Sequence, residues 1–129
     1  MVVKEYFQIQ KALKRQKKRS KFYAIKCSHD GYKFDSIKEG DEYLKLRLRK
    51  EGGDIGDLRI HPKYPILIND IKVCTVILDF EYYDNIEKIT YYIDVKGFDR
   101  KTRKFRVTAE SKLKKKILEA HNGIIVNYI

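Results

Sequence analysis

The segment that most constrains the fold is residues 71–83, IKVCTVILDFEYY. β-Branched and aromatic residues fill it, and Cys74, Val76, Leu78, Phe80 and Tyr82 recur at every second position. Period-two alternation over that length puts one face of a long strand into a core. Asp79 stands on the other face, beside Ile77 and Glu81. A carboxylate in so apolar a strand needs a donor, a cation or a metal, because burying an unpaired charge is costly.

A second charged strand follows. Asp84-Asn85 reads as a turn, residues 89–96 as the next strand, and Gly97 as its end. Asp94 and Lys96 are two residues apart and project from one face, while Tyr91, Ile93 and Val95 project from the other. If the turn pairs the two strands, Asp79 lies near Asp94 across the ladder. Two carboxylates brought together repel unless a cation sits between them. A hard divalent ion such as Mg²⁺ takes oxygen ligands at ~2.1 Å. Lys96 beside it could stabilise charge on a phosphate, or help place and deprotonate a water. Taken singly, Asp94-x-Lys96 is an ordinary same-face ion pair, and Asp79 could accept a hydrogen bond from a loop. Only their joint order in the chain points to a site.

The remaining segments supply an architecture. Residues 1–20 read as an amphipathic helix (Val2, Tyr6, Ile9, Leu13) that becomes a basic arm with Lys14, Arg15, Lys17, Lys18 and Arg19. Asp30-Gly31 between aromatic-rich runs signals a hairpin. Ser36 with Glu39 three residues on forms a capping box for a helix over residues 37–51, which Gly52-Gly53 ends. On that helix Ile37, Leu44 and Leu48 share one face, and Glu39, Tyr43 and Leu46 a neighbouring one. Pro62 and Pro65 confine the extended segment after it to an edge or a break. Asn69-Asp70 is a turn, and residues 99–104 form a basic one. Thr108 caps a second helix over residues 109–121, with Ala109, Leu113, Ile117 and Ala120 expected to face inward. Residues 124–129 are a final apolar strand. From residue 36 the order is α-β-β-β-α-β. A helix between the third and last strands makes them parallel neighbours. The expected fold is therefore single-domain α/β, a central mixed sheet flanked by helices, with a domain over residues 21–129 behind the N-terminal arm.

Composition narrows the function. Lys and Arg number 29 against 18 Asp and Glu, a net charge of +11. A small basic domain suits a polyanion, because each phosphate it neutralises releases counterions. Cys27 and Cys74 form no C-x-x-C pair, which argues against a disulfide scaffold or a Cys-based zinc site and fits a reducing cytoplasm. No apolar run approaches the ~20 residues of a membrane span, and the first residues lack the pattern of a secretory signal. There is no Ser-His-Asp arrangement, P-loop or Gly-rich dinucleotide motif. His61 and His121 read as structural or surface residues.

The ordered pattern resembles the PD-(D/E)XK nuclease superfamily, and most closely its compact phage-encoded members related to Holliday-junction resolvases. The residues that carry the resemblance are Asp30-Gly31-Tyr32-Lys33-Phe34-Asp35-Ser36-Ile37-Lys38-Glu39, Leu78-Asp79-Phe80 and Ile93-Asp94-Val95-Lys96-Gly97. Leu78 stands where the superfamily's name has Pro. The resemblance implies a restriction-endonuclease-like αβββαβ core. It implies Mg²⁺, with Mn²⁺ as the alternative, on Asp79, Asp94 and the Val95 backbone carbonyl. Glu39 would be the helical acidic residue, acting on the metal directly or through water, and Lys96 the motif lysine. One of Lys112, Lys115 and Lys116 on the second helix would approach the phosphate, and Arg100, Lys101, Arg103 and Lys104 would hold the DNA backbone. The implied activity is metal-dependent endonucleolytic hydrolysis of DNA, on branched substrates such as Holliday junctions, by a homodimer in the cytoplasm of a host cell. The alternative is a non-catalytic nucleic-acid-binding protein of the same fold.

Overall fold

The computed structural model describes residues 25–129. The expected helix and arm of residues 1–20, with Lys14, Arg15, Lys17, Lys18 and Arg19, lie outside the described residues. The chain divides into two compact units, residues 1–40 and 41–129.

In the first unit, β1 (Cys27–His29) pairs antiparallel with β2 (Tyr32–Phe34), with His29 opposite Tyr32. Asp30 and Gly31 between them have φ of 52° and 83°. Both central residues are left-handed, as the two-residue hairpin turn that follows strand twist requires. The Ser36 hydroxyl accepts the Glu39 N–H at 3.1 Å. The expected cap thus opens helix α1 (Ile37–Glu51). Gly40 has no room for a side chain, since a Cβ there would lie 2.5 Å from Cys27 Sγ.

The second unit holds β3 (Ile55–Ile60), β4 (Lys63–Ile68), β5 (Ile71–Ile77), β6 (Phe80–Asp84), β7 (Ile89–Asp94), β8 (Phe98–Asp99), β9 (Lys104–Phe105), helix α2 (Ala109–Asn122) and β10 (Val126–Tyr128). Four strands form the main sheet in the order β10-β7-β6-β3. β3, β6 and β7 pair antiparallel, and β10 pairs parallel with β7. The parallel neighbour expected from the helical crossover is therefore present, in a mixed α/β arrangement.

Residues 71–83 are not one strand. Pairing stops at Leu78-Asp79, and it stops at His61-Pro62 on the facing chain. β4 and β5 form their own two-stranded sheet beyond that level, while β3 and β6 stay in the main sheet. Two backbone bonds bridge the break: His61 N–H to Asp79 O at 3.0 Å, and Leu78 N–H to Pro62 O at 3.1 Å. The cause is local. Pro62 has no N–H to give the ladder, and His61 adopts a left-handed φ of 51°. A single ribbon thus bends in both chains at once, and the expected three strands become a sheet with a hairpin folded out of it. The hydrophobic alternation survives the bend, for Val76, Leu78, Phe80 and Tyr82 are all buried.

Helix phases differ from expectation in part. On α1 the buried stripe is Glu39, Tyr43 and Leu46, while Ile37 and Leu48 are exposed. On α2, Leu113 is 59 % exposed and Leu118 is fully buried. Ala109 and Ala120 are exposed too, and of the four residues expected inside only Ile117 packs on the core. That core joins Ile66, Val76, Leu78, Leu118 and Val126, so α2 leans on the β4–β5 hairpin and on β10. The Thr108 hydroxyl caps α2 by accepting the Ser111 N–H, and Gly123 ends it in a left-handed turn. Glu119 then ties the helix to the strand after it. Its carboxylate accepts the Val126 N–H at 2.9 Å and pairs with Lys115.

Candidate functional site

The break in the ribbon is what positions Asp79. Released from regular pairing, its side chain reaches over β7, and Oδ2 accepts the Val95 N–H at 2.6 Å. Its own N–H donates to Ile93 O at 3.1 Å. The next ladder position after the Phe80–Ile93 pair would set Asp79 against Asp94, and the Val95 contact fixes the carboxylate one residue further on. A charge-assisted bond this short orients the group firmly. The partner that an aspartate in an apolar strand requires is therefore a backbone amide.

Asp94 ends β7, held by β10 on its other side. Its carbonyl accepts the Ile129 N–H at 3.1 Å, and Lys96 N–H donates to Ile129 O at 2.9 Å. The Asp94 carboxylate and the Lys96 ammonium lie 3.2 Å apart, and both side chains are partly exposed. They share one face, as their spacing requires. They also share a cleft of about 170 Å³ with Val76, Leu78, Thr108, Ser111, Lys114 and Lys115. Thr108, Glu110 and Ser111 at the N-terminus of α2 line it, where the helix dipole favours negative charge.

Of the second-helix lysines named from the sequence, Lys115 lines the cleft and Lys112 and Lys116 are exposed outside it. Lys115 also pairs with Glu119, and its ammonium sits 5.3 Å from the centre of the Tyr128 ring. Lys114 lines the cleft as well and was not anticipated. The signal for it was present: Ser111, Lys114 and Leu118 repeat at three and four residues, and Leu118 is the true inward residue. Arg100, Lys101 and Arg103 occupy the exposed tip between β8 and β9, and Lys104 begins β9. Glu39 belongs to the first unit, where it is 5 % exposed.

His61 was read from the sequence as a structural or surface residue. The bent ribbon sets it directly opposite Asp79, with a ring nitrogen within 4.8 Å of an Asp79 carboxylate oxygen. Nothing in the local sequence signals this. It depends on β3 and β6 breaking at the same level.

Away from the site, Asp84 locks the β6–β7 turn. Its Oδ1 accepts the N–H groups of Ile86 and Glu87 at 2.9 Å, and its Oδ2 meets Arg49 at 3.0 Å. The Glu87 amide, then the Ile86 amide and the Arg49 charge, hold the Asp84 carboxyl below its ordinary range. The Val126 amide and Lys115 do the same for Glu119.

No helix among the described residues is long and apolar enough to cross a membrane. Comparison with curated proteins and with solved structures gave no match. One family model covers residues 19–127 and is described as a protein of unknown function (DUF1064). That span takes in every site residue described above, and the chain belongs to the DUF1064 family.

Proposed function

We propose that this protein is a metal-dependent endodeoxyribonuclease of PD-(D/E)XK type, acting on branched DNA. The observation that carries the reading is the bond from the Val95 amide to Asp79, one residue past Asp94. The Asp79 carboxylate accepts the Val95 N–H, while Asp94 and Lys96 line a cleft together with residues at the start of α2. The strand order β10-β7-β6-β3 with one parallel pair supports it, as does the excess of positive charge.

In this reading Asp79, Asp94 and the Val95 carbonyl would hold Mg²⁺ or Mn²⁺. The ion would polarise the phosphoryl group and make water a nucleophile at neutral pH. The chain's own residues do the rest. The Val95 amide keeps one Asp79 oxygen engaged and so fixes the other's direction. Lys96 balances the charge that grows on the phosphate as the phosphorus–oxygen bond to the leaving strand breaks. The α2 N-terminus and Lys115 hold a phosphate of the bound strand. Arg100, Lys101, Arg103, Lys112 and Lys116 grip the backbone further out. Symmetric cutting of two strands requires two such sites, hence a homodimer.

The satisfied Asp94–Lys96 pair favours a second reading, a DNA-binding protein that does not cut. Incubation with plasmid and four-way-junction DNA separates the two. The proposal expects cleavage with Mg²⁺ or Mn²⁺ that EDTA abolishes. Tight binding without cleavage under either metal would establish the second reading instead.

A further inference from the structure

We infer that His61 is a nitrogen ligand of the same ion that Asp79 binds, and that this makes Mn²⁺ rather than Mg²⁺ the preferred metal. The inference rests on the metal-centre reading above and adds a residue to it. His61 and Asp79 face each other across the break in the ribbon, linked by the His61 N–H to Asp79 O bond of 3.0 Å. That bond sets the spacing of the two Cα atoms independently of either side chain. From it, a ring nitrogen and a carboxylate oxygen come within 4.8 Å. Donors on opposite sides of one ion, each about 2.1–2.2 Å from it, lie about 4.3 Å apart. The pair needs to close by no more than a few tenths of an ångström. Both residues are partly exposed, so an ion there keeps access to water.

The ligand chemistry sets the metal. Mg²⁺ favours oxygen donors and retains its waters. Imidazole favours first-row transition ions, whose affinity for nitrogen is greater. A site of carboxylates alone would leave Mg²⁺ and Mn²⁺ close in affinity. With His61 bound, Mn²⁺ is favoured.

The test uses the full chain with Mn²⁺ as the probe and needs no DNA. Electron spin echo modulation of bound Mn²⁺ reports a directly ligated imidazole through its ¹⁴N coupling. The expected result is a ¹⁴N signal that changes to ¹⁵N when the protein is labelled at histidine. His61→Asn, a residue that tolerates the left-handed backbone at this position, should remove the signal. It should weaken Mn²⁺ binding by about 10–100-fold, as losing a ligand's support does, with Mg²⁺ affinity nearly unchanged. The labelling arm does not depend on how the variant folds. Bound Mn²⁺ without nitrogen coupling, or coupling that persists in His61→Asn, overturns the role of His61 and leaves the carboxylate centre standing. Absence of any Mn²⁺ bound at a site that Asp79→Asn eliminates overturns the metal centre, and this inference with it.

Discussion

The Asp79 carboxylate accepts the Val95 N–H at 2.6 Å, and that makes its two obvious substitutions diverge. Asn keeps an oxygen for the Val95 amide, so Asp79→Asn should fold with near-normal stability and lose metal binding. Ala leaves the amide without its acceptor, and Asp79→Ala should lose about 1–3 kcal/mol as well, measured by denaturant unfolding. A second prediction concerns acid. Asp84 and Glu119 both have carboxyls held below their ordinary values by backbone amides first and by Arg49 or Lys115 next. A depressed carboxyl contributes stability that is present above its unfolded value and is lost as pH falls through its folded one. Unfolding midpoints should therefore fall as pH drops below about 4, and Asp84→Asn should flatten that fall. An unchanged acid limb in the variant would show that Asp84 contributes nothing to it. At this scale the shared face of Asp94 and Lys96, and the need of Asp79 for a partner, were legible in the sequence, because strand spacing and the cost of burying charge are local. His61 was not, because its neighbour is set by a bend in a distant chain segment.

At the scale of elements, caps and turns were the most legible part. Asp30-Gly31, Asn69-Asp70, Ser36 and Thr108 all act where local chemistry placed them, since each depends on a few adjacent residues. Strand continuity was not legible. Residues 71–83 alternate without a flaw, and only Pro62 on the opposite chain tells where they break. The phase of α2 was misread for a related reason. Leu113 fits an apolar repeat as well as Leu118 does, but the helix turns its polar Ser111–Lys114 side to the cleft and buries Leu118 below it. Leu118→Ala should thus cost about 2–5 kcal/mol, whereas Leu113→Ala should stay within about 0.5 kcal/mol. Comparable losses from both would mean that the helix phase is other than described.

For the molecule as a whole, the crossover rule foretold the parallel pairing of β10 with β7, because helical connections between neighbouring strands have few solutions. That pairing supports the end of β7 from both sides and brings its charged pair to the N-terminus of α2. In the proposed function the excess of basic residues, a net charge of +11, serves to draw a polyanion to the same molecule. The proposed function assigns binding and cutting to different groups, and this is where the account is most exposed. The decisive measurement is single-turnover cleavage of a four-way DNA junction, beside its binding affinity, for the native chain and Asp94→Asn in Mg²⁺ and Mn²⁺. The account predicts that Asp94→Asn still binds the junction and that its cleavage falls by about 10²-fold or more. Equal cleavage by both proteins, or binding by the native chain with no cleavage in either metal, would contradict it.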